Sequence, residues 1–388
     1  MAPTNGVASA SSASTEANGA KVSRRSAKLP LHLTEKILCC ISPLESARLA
    51  TVCKSWATTI SARLVALVLH LYVCMPPERS DRRGLVVSVA LDVARFSPAT
   101  NPARVHSSDT NRFRFRCIGA TPSGRLAFAA TWWSKDFVLV NPITGVRQSI
   151  DVGVSPLPRR VLVAGDSLFA VEGNGLDLIL WRQAPGSGEE RSWSRTRCAL
   201  HQHPIKPILS AVNCNGCYYL LHVDGSLSTV DATAPPPLRM EKLPVARPMD
   251  PLGAFFVNTH LVESDGEVLL VQQLVTFTDG KSLPTGGFEV HRLDVKEQRW
   301  TKVRELPDDR ALFVSPRSSF AVRVSNTAGC RSNYIYFVGE KGYYSNPACR
   351  QGHGSSWGLY SMADRRVLFE HAVEGPGTEA MWFLPRVV

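Results

Sequence analysis

The chain has 388 residues, with 44 Lys and Arg against 33 Asp and Glu, and a formal charge of +11. Hydrophobic residues make up 44% and charged residues 20%, which is globular composition and excludes a chain disordered throughout. The longest apolar run, 64–75, is broken by His70 and falls short of the ~20 residues a membrane span requires. No apolar run lies near the start, which excludes a secretory signal. The ten cysteines are scattered along the chain, a usage that suits small buried hydrophobes in a reducing compartment.

Residues 1–28 are dominated by Ala, Ser, Thr, Asn and Gly and read as a disordered tail, unable to bury enough surface to offset its ordering entropy. Its end, KVSRRSAK, reads as a weak nuclear address, a transit-peptide-like leader or plain tail. The basic excess concentrates further on, where nine arginines face four acids across 78–125. Such a patch attracts nucleic acid or an acidic protein surface, but no aromatic-interleaved nucleic-acid module accompanies it, so nucleic acid is not an expected partner. A membrane partner is not expected either.

From residue 29 to about 71 the period is helical. Leu33, Ile37, Leu38 and Ile41 make one apolar stripe. Ser42 is a natural N-cap, Pro43 takes the first helical position and Glu45 completes a capping box, so a second helix starts there. Trp56, Ile60, Leu64 and Leu67 extend the stripe. Three short helices over 29–72 make a core too small to stand alone, so part of the stripe should face a partner.

After a linker at 73–84 the pattern changes to strands, and 85–388 reads as one all-β domain. A unit of turn, strand, turn and strand recurs, as in SGRLAFAATWW leading to DFVLVNPITGVRQSI. Gly124, Gly165, Gly216 and Gly266 mark its turns at intervals of 41, 51 and 50 residues. Repetition near this period points to a β-propeller, of six blades of ~50 residues or seven of ~43. Asn333 starts the next unit 67 residues on, which places an insertion near 307–317. The strand near Leu85 and the terminal EAMWFLP are expected to share a blade and close the ring. Asp224-Gly225 reads as a two-residue hairpin turn. The fold class is thus α+β and multidomain, with a small helical bundle before a propeller.

The catalytic inventory is thin. No nucleophile elbow, phosphate loop or metalloprotease helix occurs, and Gly173-Asn174-Gly175 opens no helix. Cys214-Asn215-Gly216-Cys217, with His201 and His203 before it, superficially resembles a zinc set but reads as an Asn-Gly turn into a strand. No catalytic residue, metal or cofactor is expected. Two stretches are candidates for binding another protein: 183–195, and 307–319 with Asp308, Asp309 and Arg310 beside Leu312 and Phe313. The last pair is either a small interface core or an ordinary buried strand.

Residues 29–57, LPLHLTEKILCCISPLESARLATVCKSWA, resemble the F-box through a Leu-Pro start, an Ile-Leu pair in the first helix and V-C-K-x-W. That resemblance implies contact with a Skp-type adaptor, and through it a cullin, by Leu29, Pro30, Leu33, Ile37, Leu38, Pro43, Leu44, Val52, Cys53, Lys54 and Trp56. Leu31 and His32 depart from it, since many F-boxes carry acids there. ARPMDPLGAFFVNTHLVESDGEVLLV (from Ala246), ELPDDRALFVSPRSSFAVRV (from Glu305) and NYIYFVGE (from Asn333) resemble the KIB-type propeller domain of plant F-box proteins. Together the resemblances imply a substrate receptor of an SCF-type ubiquitin ligase, cytoplasmic or nuclear, with no bond chemistry of its own. The other readings are a sugar-active propeller hydrolase and an F-box adaptor outside any ligase.

Overall fold

The computed structural model describes Leu33, Ile37, Leu49, Trp56 and Thr59, then 70–74, 84–88, 103–104, 115–130, 136–141, 146–151, 160–171, 178–183, 193–200, 206–235, 237–246, 248, 255–278, 281–326, 330–340, 355–373 and 379–384. The five isolated residues are helical, and the rest of the expected bundle lies outside the described residues. Among the described residues from His70 on, the chain is strand and turn apart from one 3-10 turn at Val324–Asn326.

The strands follow in chain order. β1 (His70–Cys74), β2 (Gly84–Ser88) and β3 (Ala103–Arg104) form one antiparallel meander. β4 (Phe115–Ala120), β5 (Leu126–Ala130), β6 (Asp136–Val140) and β7 (Arg147–Asp151) form the next. β8 (Arg160–Ala164), β9 (Ser167–Val171), β10 (Leu178–Gln183) and β11 (Trp193–Leu200) make a third. Its outer strand runs parallel to β15 (Leu238–Leu243), which closes the meander of β12 (Ile208–Cys214), β13 (Cys217–His222) and β14 (Leu227–Asp231), so the two form one eight-stranded sheet. β16 (Phe255–Ser264), β17 (Glu267–Thr278), β18 (Lys281–Asp294) and β19 (Arg299–Val303) follow, the first three being the longest strands among the described residues. β20 (Arg310–Val314), β21 (Phe320–Arg323), β22 (Tyr334–Glu340), β23 (Ser355–Ser361) and β24 (Arg366–Ala372) form a five-stranded sheet. The last strand, β25 (Glu379–Phe383), returns to pair with β1, His70 opposite Phe383.

This is a propeller-like arrangement. Leading strands touch in sequence, β4 with β8, β8 with β12, β12 with β16 and β16 with β21, and β25 completes the circuit against β4, β20 and β22. Among the described side chains, apolar layers form between successive sheets. Period-two alternation achieves this with one strand: Ala380 and Trp382 of β25 pack with Phe313, Tyr336 and Trp357, while Met381 and Phe383 pack with Cys117 and Leu126. Comparable apolar layers join β4–β7 to β8–β11, that meander to β12–β15, the latter to β16–β19, and β16–β19 to β20–β24. The unpaired inner edges are capped by serines from the preceding sheet. Ser355 Oγ accepts the Ala380 N–H at 3.1 Å, Ser315 Oγ accepts that of Trp382 at 3.4 Å, and Ser210 Oγ accepts that of Leu261 at 3.0 Å.

Gly124, Gly165, Gly216 and Gly266 occupy the same turn, between first and second strands, in four successive meanders. Their φ angles are 77°, 59°, 81° and 79°, in the left-handed region that glycine enters without a Cβ penalty. The interval between these glycines therefore measures one sheet to the next. Two expectations need adjusting. β1 lies at 70–74, ahead of the expected start at 85, because the remote strand β25 offers that apolar run a partner that outweighs its helical spacing. Asp224-Gly225 does not make a two-residue turn: four residues separate β13 from β14, with a positive φ at Gly225 but none at Asp224. Gly225 N–H donates to the His222 carbonyl and His222 N–H to that of Ser226.

Candidate functional site

Two regions of the sequence are candidates for contact with other proteins, and the structure describes parts of each. In the helical segment Leu33 and Ile37 are each helical and exposed by 39% and 41%. Trp56 is half-buried. Leu29, Pro30, Leu38, Pro43, Leu44, Val52, Cys53 and Lys54 lie outside the described residues.

The other region, 307–319, holds strand β20. Leu312 and Phe313 are fully buried, so the buried-strand alternative describes them. Phe313 stacks on Tyr336 with centroids 4.5 Å apart and meets Trp382 edge-on at 5.4 Å. Asp308 is exposed. Asp309 has a positive φ of 66° and accepts hydrogen bonds from Ser325 N–H at 2.5 Å and Ser325 Oγ at 2.6 Å. These bonds hold its carboxyl below the usual carboxylate range. Arg310 has a side chain only 8% exposed and is ion-paired with Asp265, which is 51% exposed and also accepts from Arg323 Nη2 at 3.0 Å. Sequence reading missed Asp265. Its only local signal is the Asp-Gly turn, whereas its partners are 45 and 58 residues away. The 183–195 stretch is described only at its two ends, as the last residue of β10 and the first three of β11.

The insertion expected near 307–317 turns inward. Its β20–β21 connection carries Arg317, whose Nη1–H donates to the Cys117 carbonyl at 2.7 Å, and a Cβ on Gly119 would lie 2.7 Å from the Arg317 carbonyl oxygen. The segment thus reaches from the five-stranded sheet past β25 to β4.

Among the described residues, three histidines are buried among the strands. His222 Nδ1–H donates to the Lys206 carbonyl at 3.0 Å, which makes Nε2 the acceptor from Ser228 Oγ at 2.8 Å. His260 and His291 each bury a ring nitrogen without a hydrogen-bond partner. Burial lowers all three pKa values, that of His260 from 6.5 to about 4, with Glu289 opposing the shift at His291. The folded state therefore disfavours the protons that the unfolded chain takes up below 6.5. His260 alone should remove about 3 kcal/mol of stability between pH 6.5 and 4, and none above. Urea midpoints should fall across that window, and less steeply in His260→Leu. Equal slopes for both proteins would refute the assignment.

Among the described residues no group of three His, Cys, Asp or Glu could hold a metal ion, and no helix is long and apolar enough to cross a membrane. His201 and His203 lie outside those residues. Cys214 and Cys217 stand directly opposite each other across the β12–β13 turn.

A circuit of antiparallel sheets, preceded in the sequence by a helical segment in which Leu33 and Ile37 are exposed, defines a propeller-like protein. Residues 96–361 match the family model of the KIB1-4 β-propeller, and 27–64 match the F-box domain. The chain belongs to the KIB1-4 β-propeller family. It is 30% identical over 188 residues to the F-box protein At2g26160 of Arabidopsis thaliana, a match covering 48% of this chain and 53% of that protein, about half of each. Among solved structures it is similar to TolB from Acinetobacter baumannii (13% identity, TM-score 0.42, covering 81% of this chain and 66% of that one). BamB from Moraxella catarrhalis is similar at 10% identity and TM-score 0.34, covering 80% and 95%.

Proposed function

We propose that the protein is the substrate-recognition subunit of an SCF-type cullin RING ubiquitin ligase. The reading is carried by one observation: an F-box match and a KIB-type propeller match lie in succession on a single chain. The helical segment ahead of β1 holds a Skp-type adaptor, and through it a cullin. The propeller, which starts with β1 at His70–Cys74 rather than at 85, holds a target. Counting the eight-stranded sheet as two blades gives that propeller six. The protein does no bond chemistry; it raises the local concentration of target lysines near the charged enzyme. It works in the cytoplasm, the nucleus or both.

Adaptor contact falls to Leu33 and Ile37, both exposed, together with Leu29, Pro30, Leu38, Pro43, Leu44, Val52, Cys53, Lys54 and Trp56. Target contact falls to the turn of Asp308, Asp309 and Arg310, with Asp308 the group free to reach outward and the other two holding the turn's shape. Truncating a central apolar anchor costs about 2 kcal/mol, or roughly thirtyfold in affinity. The double substitution Leu33→Ala and Ile37→Ala should therefore weaken capture of purified Skp-type adaptor by at least that factor, with an unchanged melting curve. Undiminished capture at equal concentration would defeat the reading. Capture of the adaptor without a cullin would favour an F-box adaptor outside any ligase.

A further inference from the structure

We propose that Cys214 and Cys217 form a reversible disulfide across the β12–β13 turn, making this hairpin an oxidation site of the propeller. The pairing places the two residues directly opposite each other, either side of Asn215 and Gly216 with φ of 52° and 81°. Opposed residues on antiparallel strands have Cα atoms about 4.5–5.5 Å apart, inside the range a disulfide spans. Opposed side chains also share a face, and both sulfurs enter the same apolar layer with Val212, Tyr219 and Val268. Both are free thiols, Cys214 buried and Cys217 half-exposed.

The difference in exposure orders the chemistry. Cys217, as thiolate, attacks one sulfur of a low-molecular-weight disulfide such as glutathione disulfide and expels one glutathione thiolate. Cys214, as thiolate, then attacks the Cys217 sulfur of that mixed disulfide and expels the second. The two protons lost from the protein thiols pass to the departing thiolates, so the oxidant leaves as two reduced thiols and the protein gains one S–S bond. Burial raises both thiol pKa values, with Glu263 and Glu267 adding to it at Cys214 and Asp231 at Cys217, where the Tyr219 hydroxyl opposes the shift. The thiolate fraction is therefore small, which slows the exchange, while the redox poise of the surroundings sets how much of the pair is oxidised. The same turn clasps the next sheet: Asn215 Nδ2–H donates to the Gly266 carbonyl at 3.4 Å, and a Cβ on Gly266 would lie 3.1 Å from Asn215. Oxidation acts where two sheets meet.

The test uses the full chain, equilibrated in glutathione buffers from reducing to oxidising. Free thiols are trapped with iodoacetamide and the peptide carrying both cysteines is weighed. The expected result is an untrapped peptide lighter by two hydrogens under oxidising buffer, returning to two trapped thiols under reducing buffer. Cys214→Ser should instead accumulate a glutathione adduct on Cys217, and Cys217→Ser should leave Cys214 trapped throughout. If the wild-type peptide stays doubly trapped in every buffer, carries only glutathione, or links to another cysteine, the proposal is overturned, whatever the variants do.

Discussion

Removal of residues 379–388 should abolish the cooperative unfolding of the propeller and leave an aggregating, protease-sensitive chain. β25 is a single strand with two jobs. It pairs with β1, and its alternating side chains fill the layers on both sides. Trp382 and Phe383 are fully buried, and truncating such a ring costs about 3–5 kcal/mol. Losing both reaches most of the 5–15 kcal/mol by which a domain is ordinarily stable. The deletion also bares the edge of β1. Trp382→Ala is the gentler form, keeping the strand while removing the contacts with Phe313 and Trp357, and should lower the denaturant midpoint without aggregation. Calorimetry and limited proteolysis read both variants. A soluble truncation with a single sharp melt would show that the ring does not depend on its last strand.

The closing strand was legible in the sequence because it needed no side-chain geometry. A terminal apolar strand, a solitary strand after the linker and a regular turn interval leave a closed ring as the arrangement without an open edge. The turn glycines were legible for a similar reason, since a left-handed residue can be read one position at a time. What could not be read was pairing between distant parts of the chain. The run at 70–74 satisfies helix and strand patterns equally over so few residues, and only β25 decides it. The charged turn at 308–310 looked like surface, yet Arg310 is buried because Asp265 from the neighbouring sheet's turn reaches it. Arg317 meets Cys117 two hundred residues away. In the helical segment the residue types at Leu33 and Ile37 could be read, and their exposure is the part the structure adds.

Gly358→Ala should cost about 3 kcal/mol or more, although one methyl is the whole change. Gly358 lies in β23 between Phe337 of β22 and Glu370 of β24. A Cβ there would stand 2.4 Å from the Phe369 carbonyl oxygen and 2.5 Å from the Phe337 ring. Neither neighbour can yield cheaply. The carbonyl belongs to the backbone of the paired strand, and Phe337 is fully buried against Phe288, centroids 5.1 Å apart, which in turn packs edge-on against Tyr360 at 5.2 Å. Overpacking a filled layer costs 1–3 kcal/mol where side chains can shift, and more where backbone blocks the shift. A second glycine of the same sheet isolates the cause. At Gly339 the added methyl would meet only the ends of Ser356 and Gln273, at 3.1 and 3.4 Å, so Gly339→Ala should cost under about 1 kcal/mol. For a domain this large the first variant should melt roughly 5–10 °C lower and the second within a few degrees of the parent. Equal melting temperatures for the two would mean that β23 and β24 separate easily, and that the five-stranded sheet is not the rigid wall against which β25 closes the ring.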